Sequence, residues 1–235
     1  MKKLTARVLF LIFTVMLVAT SSFAESKKQA KAEIKAENQV QEQVMRENLS
    51  EKEVYLVKIS ALSASSRLDE LKIAVDEGLT AGLTVAEIKD LMAQLYAYCG
   101  FPKSLNALGT LDKVLKERVE KGIKTEQGVE NKIIEKTLDS LKIGTDTQTK
   151  LTGREVDLTA ISADVDYYLK AHLFGDIFNS TIFSWQEREI ITVAALSAMV
   201  GTEPQRDAHI KVAKHNAVSD NQIKEIREIA EKYKR

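Results

Sequence analysis

The chain has 235 residues, and its 34 basic and 34 acidic residues exclude the strongly basic composition typical of nucleic-acid-binding proteins. Its hydrophobic content of 44% is enough for one sizeable domain or two small ones. The single cysteine, Cys99, rules out an internal disulfide, so side-chain packing must hold the fold together. Only two prolines and ten glycines occur, and this scarcity of turn-forming residues favours long helices.

The first 24 residues are predicted to be a signal peptide. Three basic residues lie within the first seven positions, an apolar run follows over 9–18, and Ser22-Phe23-Ala24 offers small residues for cleavage. The run is shorter than the roughly 20 residues that a membrane-spanning helix needs. We therefore expect cleavage after Ala24, no stable membrane insertion, and a periplasmic or secreted protein; a retained N-terminal anchor is the alternative. The remaining chain has 31 Lys and Arg against 34 Asp and Glu, a net charge of −3.

Residues 25–48 form a predicted polar helical spacer, because they are rich in Ala, Lys, Glu and Gln but carry few apolar residues. Helix-start signals follow in both halves of the chain, each a Ser or Thr with Glu or Gln three residues later. In the first half, Gly100 is expected to end one helix and Pro102 to begin the next. The four capping boxes are Ser50 with Glu53, Thr84 with Glu87, Ser184 with Glu187, and Ser219 with Gln222.

Two segments of the chain repeat one another. Ala61-Leu62-Ser63-Ala64 recurs as Ala195-Leu196-Ser197-Ala198, and the capping boxes recur with almost the same spacing. We therefore predict a first repeat over 49–121, a connector over 122–161 with turns at its glycines Gly122, Gly144 and Gly153, and a second repeat over 162–235. The second repeat is expected to be truncated, since Arg235 corresponds to Gly100. Repeated units of this kind usually bury each other's apolar faces.

Several segments of the chain resemble the sequence pattern of the carboxymuconolactone decarboxylase family. The similarity covers roughly 49–118 and 164–231. The residues that carry it are Gly82-Leu83-Thr84, Glu87-Ile88 and the block from Tyr98 to Leu108 in the first repeat, and Glu187 to Leu196, His209 and Ser219 to Ile223 in the second.

The resemblance implies an all-α fold, a tandem repeat of a multi-helix alkylhydroperoxidase D-like unit, that forms homo-oligomers. It also implies three alternative functions. The first is a cofactor-independent lyase acting on a small carboxylated lactone or related metabolite. The second is a peroxiredoxin-type antioxidant using Cys99 with an external thiol, since no Cys-x-x-Cys pair is present. The third is a non-catalytic helical oligomer that binds a small ligand.

Candidate catalytic residues lie in the second repeat. His209 stands where the family pattern carries a histidine, and its counterpart in the first repeat is Ala74. An imidazole can give or take a proton near neutral pH, and it can equally be a buried structural histidine. Arg188 and Glu189 also have uncharged counterparts; we expect Arg188 to bind a substrate carboxylate and Glu189 to act in acid–base chemistry or orient His209, with a structural salt bridge as the alternative.

Candidate substrate-binding residues lie at the end of the third helix of the first repeat, where Tyr96, Tyr98, Cys99 and Phe101 cluster. The tyrosine hydroxyls could line a pocket, whereas a free thiol is more often a small packed hydrophobic group. His209 and His215 are six residues apart and do not share a helix face, so no metal site is predicted. No cofactor-binding motif was recognised either.

Overall fold

The computed structural model describes residues 48–129 and 139–235. The predicted signal peptide, the spacer up to residue 47 and part of the connector, 130–138, lie outside these ranges. Within the described ranges, no helix is both long enough and apolar enough to cross a membrane.

The described residues form helices and contain no β-strand, so the predicted all-α class is confirmed. The α-helices are α1 (Glu51–Ala64), α2 (Leu68–Thr80), α3 (Val85–Glu120), α4 (Ser140–Thr152), α5 (Ala163–Tyr167), α6 (Trp185–Ser197), α7 (Glu203–His215) and α8 (Asp220–Ala230). A π-helical segment, Tyr168–Ile177, continues α5, and a single 3₁₀ turn, Glu231–Tyr233, continues α8.

Capping boxes begin four of these helices, as predicted. In each, the Ser or Thr side chain accepts a hydrogen bond from the backbone N–H three residues on, while the Glu or Gln side chain bonds back to the cap residue. These contacts satisfy backbone donors that would otherwise lack partners in the first turn. The four helices are α1, α3, α6 and α8.

The sequence predicted a helix end at Gly100 and a turn at Gly144, and the structure agrees with only the first. Gly100 has a φ of 83° and a ψ of 157°, which interrupts α3 by a kink just before Pro102. The prediction of a helix boundary there is therefore confirmed. Gly144 was predicted to lie in a turn, and that prediction is wrong: it lies inside α4, where its missing side chain permits a close helix–helix contact.

The two repeats share one backbone plan. Helix α1 corresponds to α6, α2 to α7, and the start of α3 to α8. The turn after the first helix contains a residue with positive φ in both copies, Ser66 at 57° and Gly201 at 84°. The duplication inferred from the sequence therefore extends to the turn geometry.

The repeats are joined through their first helices, because α1 packs along α6. Buried side chains from both helices occupy the same hydrophobic clusters: Val57 and Ala61 lie with Ile190 and Val193, and Leu56 lies with Ile191. Each repeat thus buries an apolar helix face of the other repeat.

The connector packs onto the second repeat rather than lying apart from it. Helix α4 crosses the π-helical segment so closely that a Cβ atom at Gly144 would overlap the Lys170 carbonyl oxygen, and one at Gly175 would overlap that of Ser140. The end of α4 is tied to α7, because the Asn216 side-chain amide donates to the Leu151 carbonyl at 2.9 Å. This packing creates a cavity beside α7.

Candidate active site

A cavity of about 610 Å³ lies between the connector and the second repeat. Its walls come from α4, the segment after α4, the π-helical segment, the part of α3 just before the kink at Gly100, the end of α6, and α7. The lining residues are Ala97, Tyr98, Gln148, Thr152, Arg154, Val156, Leu158, Leu169, Leu173, Phe174, Leu196, Thr202, Gln205, Ala208, His209, Lys211 and Val212.

His209, which lines this cavity, pairs with a buried carboxylate behind it. Glu189, on α6, is fully buried, and its Oε2 lies 2.8 Å from Nδ1 of His209 on α7. An ionised carboxylate can only accept, so Nδ1 carries the proton of this hydrogen bond and Nε2 is the ring nitrogen left for a ligand. The His209 side chain is 19% exposed, and it lines the cavity.

Tyr98 lies against the histidine. Its ring meets that of His209 edge-on, with the ring centroids 5.5 Å apart. Its hydroxyl is buried close to Thr192 and Glu189. Burial, and next the charge of Glu189, raise the pKa of Tyr98 well above its usual range, so the hydroxyl stays protonated and can donate.

Arg188 lies in a different environment from its neighbour Glu189. Its guanidinium is fully buried, and it donates to Asp90 Oδ2 at 2.9 Å and to Gln94 Oε1 at 2.7 Å. A third bond reaches the Ser180 carbonyl at 3.1 Å. Burial lowers the pKa of Arg188, and the charge of Asp90 opposes this shift. Arg188 already has a carboxylate partner and does not line the cavity.

Among the cavity residues that sequence reasoning missed, three bear on which ligand the cavity can hold. Arg154 and Lys211 are exposed cations on the cavity wall, and Gln148 is a buried amide facing the same space. Two of them, Gln148 and Arg154, belong to the predicted connector. The only sequence signal for this wall is indirect, since Gly144 and Gly175 allow the close crossing that brings the connector onto the second repeat.

The other predicted binding residues lie off the cavity. Tyr96 stacks on Phe101 with the ring centroids 4.3 Å apart, and neither lines the cavity. The Cys99 thiol donates to the Leu95 carbonyl at 3.1 Å, and burial raises its pKa despite the nearby charge of Lys103. Tyr98 is therefore the member of the cluster that the structure brings together with His209 and Glu189. Roles for all seven predicted site residues remain predictions.

Metal coordination has no obvious site in 48–129 and 139–235, where no three His, Cys, Asp or Glu side chains are grouped closely enough to hold an ion.

Comparison with protein families matches the carboxymuconolactone decarboxylase family over residues 35–113 and 163–234, more than half of the chain. The chain belongs to the carboxymuconolactone decarboxylase family. The two matched segments fit two copies of the family's helical unit, which agrees with the repeat seen in the helices. A comparison with the curated proteins found no match.

This carboxymuconolactone decarboxylase family member has different residues at the equivalent positions of its two repeats. Where the second repeat has Glu189 and His209, the first has Tyr55 and Ala74. Ala74 is buried within the hydrophobic core, and Tyr55 packs against that core. The acid–base pair is therefore confined to one copy, while the other copy fills the equivalent space with core side chains.

Proposed function

We propose that this protein is a cofactor-independent lyase that removes CO₂ from a small carboxylated lactone or related metabolite. The observation that carries the proposal is the buried Glu189 carboxylate bonded to His209 on the wall of a cavity that also holds Tyr98. Acid–base catalysis needs a group of this kind within reach of the substrate. The N-terminal sequence supports the further proposal that the reaction takes place outside the cytoplasm.

In the proposed reaction, the bond between the substrate carbon and its carboxylate breaks. CO₂ leaves, and the electron pair stays on the substrate carbon, conjugated with the lactone carbonyl. His209 in its imidazolium form, which has taken its second proton from solvent, then delivers the Nε2 proton to that carbon and is left as the neutral ring, while Glu189 keeps the ring oriented through Nδ1. The Tyr98 ring packs edge-on against the imidazole and helps to hold it in this orientation.

Substrate anchoring is assigned to Arg154 and Lys211 rather than to Arg188. The first two line the cavity, and neither has an ion-pair partner in the described parts of the chain. Arg188 instead positions α6 against α3 through Asp90 and Gln94. This assignment replaces the carboxylate-binding role expected for Arg188 with a structural one.

The test is CO₂ release from a panel of carboxylated lactones, compared among the native protein and three variants. Glu189→Gln and His209→Gln should lower kcat/KM by about 10²- to 10⁴-fold, because each disables proton transfer. The matched control is His172→Gln, since His172 is exposed, pairs with Asp176 and does not line the cavity. If the native protein and His209→Gln release CO₂ equally, or if neither turns over any lactone, the enzyme proposal fails and a non-catalytic binding role is favoured.

The thiol antioxidant alternative finds less support. Peroxide reduction requires a thiolate, and burial of Cys99 disfavours that form. The thiol also bonds to a backbone carbonyl and lies outside the cavity that holds His209.

A further inference from the structure

The cavity wall carries two cations, Arg154 and Lys211, and no carboxylate among its lining residues. Neither cation makes a side-chain hydrogen bond or an ion pair to any residue that the structure describes, whereas the neighbouring Lys214 pairs with Asp220. A concave site lined by one sign of charge concentrates ions of the opposite sign. The site therefore favours an anion.

The rest of the wall is mainly apolar and extends well beyond the two cations. The apolar lining residues include Val156, Leu158, Leu169, Leu173 and Phe174, all contributed by the connector and the π-helical segment. The volume of about 610 Å³ falls within the range typical of sites for drug-sized ligands. A compact lactone would leave much of this apolar wall in contact with water, at a cost proportional to the exposed area.

A buried polar group completes the site. Gln148 is 5% exposed, faces the cavity and makes no side-chain hydrogen bond to a described residue. Its amide group can therefore bond to a ligand oxygen at the cavity wall. The lining thus offers a cationic rim, one interior amide and an extended apolar surface.

We infer that the ligand of this cavity is a monocarboxylate with an extended apolar body, such as an alkyl or aryl chain. Its carboxylate lies between Arg154 and Lys211, and its body lies along Leu169, Leu173 and Phe174. This inference goes beyond the proposed function and does not rest on it, because binding requires no catalysis.

The experiment is isothermal titration of the purified full-length protein with three probes. Dodecanoate has both the charge and the apolar body, dodecan-1-ol has the body alone, and butanoate has the charge with a short body. Dodecanoate should bind at least about tenfold more tightly than either of the others, because only it uses both parts of the site. Equal affinity for dodecan-1-ol, equal affinity for butanoate, or no binding of dodecanoate would each overturn the inference.

Substitutions of cavity residues test whether dodecanoate binds in this cavity. Arg154→Gln and Lys211→Gln should each weaken dodecanoate binding about fivefold, as expected for exposed charge pairs, and leave dodecan-1-ol binding unchanged. The matched control is Lys214→Gln on the same helix, which lies outside the cavity and should have no effect. Leu169→Ser should weaken both long-chain probes. If Lys214→Gln weakens dodecanoate binding as much as Lys211→Gln does, the charge effect is not specific to the cavity and the inference is wrong.

The outcomes separate this inference from the proposed enzyme activity. If dodecanoate binds with these dependences but no lactone loses CO₂, the proposed lyase function fails and the binding inference stands. If small lactones lose CO₂ while dodecanoate neither binds nor inhibits, the lyase function stands and the binding inference fails.

Discussion

At the scale of single residues, the site depends on two neighbours that point in different directions. Successive residues on an α-helix are about 100° apart, so Glu189 can face α7 while Arg188 faces α3. Glu189 meets His209 beside the cavity, and Arg188 meets Asp90 in the core. The sequence predicted both as site residues because both charges are missing from the first repeat. It could not separate their roles, since the partner of Arg188 lies 98 residues away in the chain.

Removal of the Asp90 charge should destabilise the protein strongly. Asp90→Asn leaves the buried Arg188 guanidinium without its counter-charge, and we expect a loss of about 3 kcal/mol in the free energy of unfolding, measured by urea denaturation. Asp112→Asn on the same helix breaks the exposed pair with Lys116 and should cost less than about 1 kcal/mol. Equal losses in the two variants would show that the Arg188 network does not stabilise the fold as described.

The pH dependence of Cys99 alkylation tests the environment of the thiol. Because burial raises the pKa of Cys99 above its ordinary 9.0, the reactive thiolate should appear only at higher pH than in a free cysteine. The rate of alkylation by iodoacetamide should therefore be low at pH 7.5 and still be rising at pH 9. A rate that levels off below pH 8 would instead indicate an activated thiolate and would revive the antioxidant alternative.

At the scale of helices, the helix starts could be predicted and the cavity wall could not. A capping box is a local signal, which is why Ser50 and Thr84 mark real helix starts. The cavity wall depends on α4 crossing the π-helical segment, a contact between parts of the chain that local patterns do not relate. Gly144 was assigned to a turn for the same reason, because a glycine needed for close packing resembles a glycine needed for a turn.

Substitution of Gly144 tests this crossing directly. Gly144→Ala would place a methyl group on the Lys170 carbonyl oxygen, and we expect a loss of about 3 kcal/mol in stability and a weakened cavity wall. Gly109→Ala is the control, because Gly109 lies within α3 and has no atom near its missing Cβ. That control should stabilise the protein by up to about 1 kcal/mol, since alanine favours helix more than glycine does. Thermal unfolding of both variants gives the comparison, and a stable Gly144→Ala protein would argue against the close crossing.

At the scale of the whole molecule, the duplicated helices form the framework, and residues that differ between the two repeats form the candidate site. The first repeat has Tyr55 and Ala74, which pack in or against the core, where the second has the Glu189–His209 pair, so the candidate site is confined to one copy. The repeat was readable from the sequence because spacing and capping residues persist in both copies. The volume and charge of the cavity were not, because they arise where the connector meets the second repeat.

Self-association remains a prediction from the family resemblance, and the surface of α3 suggests where to test it. Phe101 and Leu105 are each 61% exposed and lie one helical turn apart. We expect light scattering to give a mass above that of one chain, and Leu105→Lys to shift it toward the monomer, because a charge disfavours an apolar contact. Val119→Lys on the same helix, also highly exposed, should leave the mass unchanged. A native monomer would contradict the prediction.

The most direct measurement of the central claim is nitrogen NMR of the three histidine side chains during titration with a carboxylated ligand, with His172→Gln and His215→Gln assigning the signals. We predict that His209 is protonated at Nδ1, bonded to Glu189, and that its Nε2 signal responds to the ligand while those of the other two histidines do not. A His209 protonated only at Nε2, or one indifferent to every ligand that binds, would contradict the assignment of this imidazole as the acid–base group of the cavity.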